Sequence, residues 1–154
     1  MVPPIRPANR HDLDGLVLLL QQLFSIEKDF DFAADKQRKG LELLLDSTSA
    51  VIMVATENRS VIGMATAQLV ISTAEGGPSL LVEDVVVQPS RQHQGIGARL
   101  LRALGGWGAE RGAGRMQLLA DLTNSSALDF YRHLGWRQTR LICLRKFHHE
   151  KDGT

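Results

Sequence analysis

Leu13, Leu16, Val17, Leu20, Leu23 and Phe24 recur at the spacing of one helical face, which predicts an amphipathic helix over about residues 10–25. Asn9 stands at its N-cap position and Asp12 suits its first turn. Gly15 weakens it slightly. An acidic stretch follows, with Glu27, Asp29, Asp31 and Asp35 around Phe30 and Phe32. Leu41, Leu44 and Leu45 then mark the apolar side of a second helix. Val51–Thr56 and Val61–Ile71 are rich in β-branched residues, and Glu57-Asn58-Arg59-Ser60 parts them, which reads as a hairpin. Thr73–Pro78 is a loop.

Leu80–Val87 carries the strongest strand signal. It is almost continuously apolar, as a central buried strand should be, and only Glu83 and Asp84 interrupt it. Gly95–Arg111 reads as a helix with Leu100, Leu101, Leu104 and Trp107 on one side. Gly105, Gly106 and Gly108 make it poor by propensity, so tertiary packing must hold it. Met116–Ala120 is a further strand, Asn124–Leu134 a helix stopped at Gly135, and Trp136–Lys146 a final strand. Val2–Pro7 is a short first strand fenced by prolines. The predicted order is β-α-α-β-β-β-α-β-α-β, an α/β chain without internal repeat or linker. One domain is expected over residues 1–147, followed by a polar tail, 148–154.

Composition narrows the function. The chain has 154 residues, is 44% apolar and has a formal net charge of +1. That is enough apolar material for a core and argues against disorder. It lacks the basic excess of a protein that grips nucleic acid through phosphates. Cys143, its one cysteine, allows no internal disulfide and fits a reducing compartment. No signal-peptide pattern and no apolar run of about 20 residues is seen. A soluble, cytoplasmic protein without a membrane or nucleic-acid partner is expected. Acidic residues are in excess in the first half and basic residues in the second, which can reflect a solvated surface or an anionic ligand held by the second half.

The candidate chemistry lies after the central strand, in Pro89-Ser90-Arg91-Gln92-His93-Gln94-Gly95-Ile96-Gly97-Ala98. Glycines there admit close approach of a ligand to the backbone. The first N–H groups of the following helix have no internal partner, and the helix dipole adds positive character. Together they make a cradle for a diphosphate; a tight turn that binds nothing would carry the same glycines. A dinucleotide fingerprint wants a small residue where Leu100 stands, and no Gly-Lys-Ser/Thr exists for a Walker loop.

Gln92-x-x-Gly95-x-Gly97 after Val85-Val86-Val87 resembles the acetyl-coenzyme A signature of the GNAT superfamily of N-acetyltransferases. Asn124-x-x-Ala127-x-x-Phe130-Tyr131-x-x-x-Gly135-Trp136 resembles the family's second block. The resemblance covers nearly the whole chain, the N-terminal half in pattern only. It implies a mixed, mostly antiparallel sheet flanked by helices and splayed between strands 4 and 5. It also implies acetyl-CoA as co-substrate and direct acetyl transfer to a primary amine in a ternary complex. A non-catalytic acyl-CoA sensor is the alternative, and a homodimer is common in the family.

By the same resemblance, the backbone N–H groups of His93, Gln94, Gly95, Ile96, Gly97 and Ala98 hold the pyrophosphate. Gln92 takes the family's Gln/Arg position. Val85, Val86 and Val87 form the strand segment that binds the coenzyme; the backbone of Val85 and Val87 pairs with the pantetheine arm, and one of their N–H groups polarises the acetyl carbonyl, an effect of about 3–4 kcal/mol per donor. Asn124 contacts the arm, caps its helix, or does both. Tyr131 protonates the departing thiolate, or anchors its helix. A protonated amine must also lose a proton. Glu83 and Asp84 are the candidate bases, with Glu83 favoured by resemblance. Neighbours on a strand face opposite ways, so only one should face the acceptor unless a bulge intervenes.

Other residues are read as structural. His93 matters through its backbone. Cys143, Trp107 and Trp136 are expected in the core. His148, His149 and Glu150 lie in a polar tail and are not expected to bind metal. The resemblance implies that the loop between the first two helices walls the acceptor site, so the stretch from Glu27 to Asp35 would favour a cationic amine such as a polyamine, a lysine-like side chain or an aminoglycoside, with Lys28 and Lys36 diluting it; a solvated loop is the simpler reading.

Overall fold

The computed structural model describes residues 2–27 and 29–149. The chain divides into two compact units, Met1–Leu118 and Leu119–Thr154. In the first unit the elements are β1 (Ile5–Pro7), a 3-10 turn (Arg10–Asp12), α1 (Leu13–Ile26), α2 (Ala34–Asp46), β2 (Ala50–Glu57), β3 (Ser60–Ser72), β4 (Gly77–Val87), a second 3-10 turn (Pro89–Arg91), α3 (Ile96–Glu110) and β5 (Met116–Leu118). The sheet runs in the order β1-β2-β3-β4-β5. All pairs are antiparallel except β4 and β5, which are parallel. This is the mixed, mostly antiparallel sheet expected.

The two faces of the sheet are covered by different helices. Leu13, Leu16, Val17, Leu19 and Leu20 of α1 and Leu41 of α2 pack with Ile52, Val54, Val61, Met64 and Val86. The predicted apolar stripe of α1 is thus its buried face. On the other face, α3 buries Ile96, Leu100, Leu101 and Leu104. Gly105 and Gly108 let it sit close: a Cβ at Gly105 would lie 3.2 Å from Met116 Sδ, and one at Gly108 3.0 Å from Leu80 Cδ2. Intrinsic helix propensity is given up in return for close contact with β4 and β5.

The 3-10 turn that leads into α1 is fastened more firmly than its cap alone requires. Asn9 Oδ1 accepts the His11 N–H at 2.9 Å, and Asp12 Oδ2 accepts the Asn9 N–H at 2.8 Å, a capping box. Arg6 of β1 donates to both oxygens of the buried Asp12, at 2.7 and 2.9 Å. That bidentate pair holds the Asp12 carboxyl below its ordinary pKa. Because the folded-state pKa is depressed, the stabilisation is present above the unfolded value, 3.8, and is lost as pH falls through the folded one. Asp12→Ala is expected to lower stability at pH 7 by about 2 kcal/mol, measured by urea unfolding. An equal loss at pH 7 and at pH 2.5 would remove the ion pair as its cause.

The second unit holds α4 (Ser125–His133). Asn124 caps it, Oδ1 accepting the Ala127 N–H at 3.1 Å. Gly135 ends it with φ +90°, and the Trp136 N–H closes the turn on Tyr131 O at 3.0 Å. The expected final strand over Trp136–Lys146 is not formed among the described residues. β propensity states only that a segment would suit a ladder, and this one has no ladder partner among the described residues. Two further expectations are corrected. Cys143 is exposed rather than in the core, because the strand that would have buried it is not there. Trp107 and Trp136 are only half-buried. The Arg111 guanidinium covers the Trp107 ring at 4.1 Å, while Trp136 meets the Tyr131 ring at 5.8 Å. Lys28 and residues 150–154, with Glu150 and most of the expected tail, lie outside the described residues.

Candidate active site

The site is built on a bulge in β4. Register runs Ala65↔Val85 and then Ala67↔Val82, so Thr66 alone on β3 faces both Glu83 and Asp84. The faces confirm it. Val82 pairs with Ala67 and Leu80 contacts α3 at Gly108, whereas Val86 pairs with Met64 in the α1/α2 core. In a regular strand, Leu80, Val82 and Val86 would share one face; the extra residue reverses it. This is the exception under which both carboxylates can leave the strand together.

The two acids then take different environments. Glu83 is exposed. Asp84 turns toward buried Thr66, whose hydroxyl donates to Asp84 Oδ2 at 3.0 Å and accepts the Asp84 N–H at 3.2 Å. Burial, and secondarily the charge of Glu83, push the Asp84 carboxyl up to about 6, against the Thr66 hydrogen bond. A carboxyl with that pKa exchanges protons near neutrality, as a general base must.

Past the bulge, no strand among the described residues pairs with the second edge of β4. Pairing with β5 stops at Val82↔Leu118, while β4 continues to Val87. The Gln88 N–H bonds Ile62 O at 2.8 Å. That phase makes Met64↔Val86 the hydrogen-bonded pair, with Ala65↔Val85 and Gly63↔Val87 non-hydrogen-bonded. The amides of Val85 and Val87 therefore point away from β3, and that of Val86 toward it. Val86 buries its side chain, and its neighbours present N–H groups along that edge.

The turn that follows gathers N–H donors at the start of α3. His93 at φ +61° and Gly95 at φ +79° bend the chain so that α3 begins at Ile96. No side chain caps that helix. Its first internal bond is Arg99 N–H to Gly95 O at 3.1 Å, so the N–H groups of Gly95, Ile96, Gly97 and Ala98 precede it. A Cβ placed at Gly95 would meet nothing within 4 Å, so the cradle is open. These residues fit a diphosphate. Arg91 pairs with Glu57 and donates to Gln94 Oε1 at 3.1 Å, tying the turn to the β2–β3 hairpin. Gln92 Nε2 donates to Val87 O at 3.1 Å.

Sequence reasoning passed over Gln22. It is half-buried on α1, and its Nε2 donates to the same Val87 O at 3.0 Å. Its signal was a polar residue beside Leu19, Leu20 and Leu23 on the packed stripe. A cavity of about 330 Å³ borders it, lined also by His11, Asp12, Arg59, Ser60 and Gln88. Tyr131, in the second unit, is half-buried with its ring 5.2 Å from that of Phe130.

The model of the Acetyltransferase (GNAT) family matches residues 19–136. The chain belongs to this family. As a GNAT protein it is an acetyl-CoA-dependent N-acetyltransferase. It is similar to the aminoglycoside N(6')-acetyltransferase type 1 of Salmonella typhimurium, 26% identical over 146 residues, covering 92% of this chain and 97% of that one. Among solved structures, a transcriptional regulator from Bacillus halodurans matches with a TM-score of 0.83 at 22% identity, covering 94% of this chain and 99% of that one. The aminoglycoside N-acetyltransferase AAC(6')-Iy in complex with CoA matches with a TM-score of 0.83 at 21% identity, covering 95% of both chains. These structural likenesses establish the GNAT fold. No helix among the described residues is long and apolar enough to cross a membrane, and no group of three or more metal-ligating side chains gathers among them.

Proposed function

We propose that the protein transfers the acetyl group of acetyl-CoA directly to a primary amine of a small molecule or peptide, with both substrates bound together. The observation that carries this is the Glu83–Asp84 bulge, set immediately before the outward amides of Val85 and Val87 and the uncapped start of α3. Acetyl-CoA supplies an activated acetyl thioester. The N–H groups from His93 to Ala98 hold its phosphates, Val85 and Val87 pair with its arm, and one of their N–H groups stabilises the developing oxyanion. Asn124 contacts the arm as well as capping α4. Glu83, exposed, takes the proton from the amine, and Asp84 is the second proton acceptor behind it. Tyr131 donates to the departing thiolate.

We place the acceptor among cationic amines, aminoglycosides being the named substrates of the similar acetyltransferase from Salmonella. Glu27, Asp29, Asp31 and Asp35 supply negative charge between α1 and the first turn of α2; Asp29, Asp31 and Asp35 are exposed. We propose that residues 1–147 act as one acetyltransferase domain, a reading supported by a family match that extends from α1 to Trp136. A homodimer is expected, to be checked by light scattering. The lone cysteine supports a cytoplasmic setting.

The test is release of CoA thiol with a panel of amines, in which turnover with at least one cationic amine is expected. Tight acetyl-CoA binding with no turnover for any amine would instead make the protein a sensor. Glu83→Gln is expected to slow turnover roughly 10²-fold, most at low pH. Without the base only the free amine reacts, and that fraction rises with pH. Should Asp84→Asn show this profile and Glu83→Gln not, the two carboxylates exchange roles.

A further inference from the structure

The edge of a strand presents acceptors as well as donors, and a diphosphate needs donors only. Val87 is the last residue of β4, and its carbonyl points out along the same edge as the Val85 amide. Left bare, that oxygen would set a partial negative charge beside the turn that gathers the N–H groups of Gly95 to Ala98. It is not bare. Gln92 Nε2 at 3.1 Å and Gln22 Nε2 at 3.0 Å both donate to it, occupying both of its lone pairs.

The two donors arrive from different places. Gln92 is local to the turn. Gln22 comes from α1, 65 residues earlier in the chain, and it is half-buried beside Leu19 and Leu20, where an unpaired amide would be costly. Only a donor group can face a carbonyl oxygen, so the acceptor fixes which way the Gln22 amide points. The neighbouring Gln88 works on the other side of the strand, its backbone N–H on Ile62 O at 2.8 Å and its side chain on Val61 O at 3.4 Å. Val87 is thus the position where the edge changes from strand pairing to the N–H donors of the turn.

We infer that Gln22 and Gln92 jointly mask the Val87 carbonyl, and that Gln22 is thereby a positioning residue for the phosphate-bearing part of the acyl donor. The inference rests on the donor site proposed above. It assigns to α1 a part in holding the donor, in addition to covering the sheet.

The experiment is calorimetric titration with CoA of the full chain, as wild type, Gln22→Met, Gln92→Met and the double variant, with a thermal melt of each. Either single substitution leaves one donor on the carbonyl, so each is expected to weaken CoA about threefold. The double variant exposes the oxygen and is expected to lose about thirtyfold, well beyond the product of the singles. Losses that simply multiply, or no loss at Gln22, would overturn the masking. If the double variant melts below the assay temperature, Gln22→Glu decides. It is isosteric and aims an oxygen at the carbonyl, so roughly tenfold weaker CoA binding is expected, and unchanged affinity overturns the inference. A wild type that does not bind CoA would refute the donor site itself, which is a different result from a wild type that binds and variants that bind equally.

Discussion

Asp84→Asn is expected to stabilise the protein at pH 8 while slowing catalysis. The folded state holds this carboxyl up at about 6, against an ordinary value of 3.8, chiefly through burial. A folded-state pKa raised above the unfolded one means that protonation favours the fold. The contribution is fully present below pH 3.8 and is lost as pH rises through about 6. At pH 8 the native protein therefore carries a buried charge that costs about 2–3 kcal/mol. Asparagine has no such charge and can still pair with Thr66. Urea unfolding at pH 4 and pH 8 should show almost no difference between variant and wild type at the first and a gain of about that size at the second. A variant less stable than wild type at pH 8 would mean that the carboxylate is held by attractions stronger than its desolvation. The gain in stability set against the loss in turnover is the pattern of a group retained for chemistry rather than for the fold.

Tyr131→Phe is the second large effect. A phenol with an ordinary pKa of about 10 can give its proton to a thiolate as it forms. Removing the hydroxyl is expected to lower kcat on the order of 10²-fold, while CoA binding changes far less. The phenylalanine ring keeps the packing against Phe130 and Trp136, at 5.2 and 5.8 Å between centroids. An unchanged kcat would reduce Tyr131 to a helix anchor. A parallel loss of CoA affinity would make it a binding residue instead.

Much of the candidate site was legible because it depends on local chemistry. The glycine-bearing turn, the uncapped helix after it and the two acids in an apolar strand are all visible in a linear reading. Even the bulge was legible as a condition: adjacent carboxylates can leave a strand together only if an extra residue breaks its alternation. Whether the condition held depended on register with β3, which no local signal encodes. The same limit hid Gln22, whose partner is a backbone atom far along the chain, and the Arg6–Asp12 clamp, in which a cap residue also serves as a salt-bridge acceptor. The final strand failed for the converse reason. Residues 136–146 have strand-forming side chains, but a strand exists only where a neighbour offers a ladder.

The glycines of α3 carry a last consequence. A helix so poor in intrinsic stability would not persist alone; its packing on β4 and β5 holds it. Its first turn is also the proposed phosphate cradle. If the cradle holds the donor, donor binding depends on the packed sheet, and a peptide spanning only the turn and its helix is expected not to bind CoA.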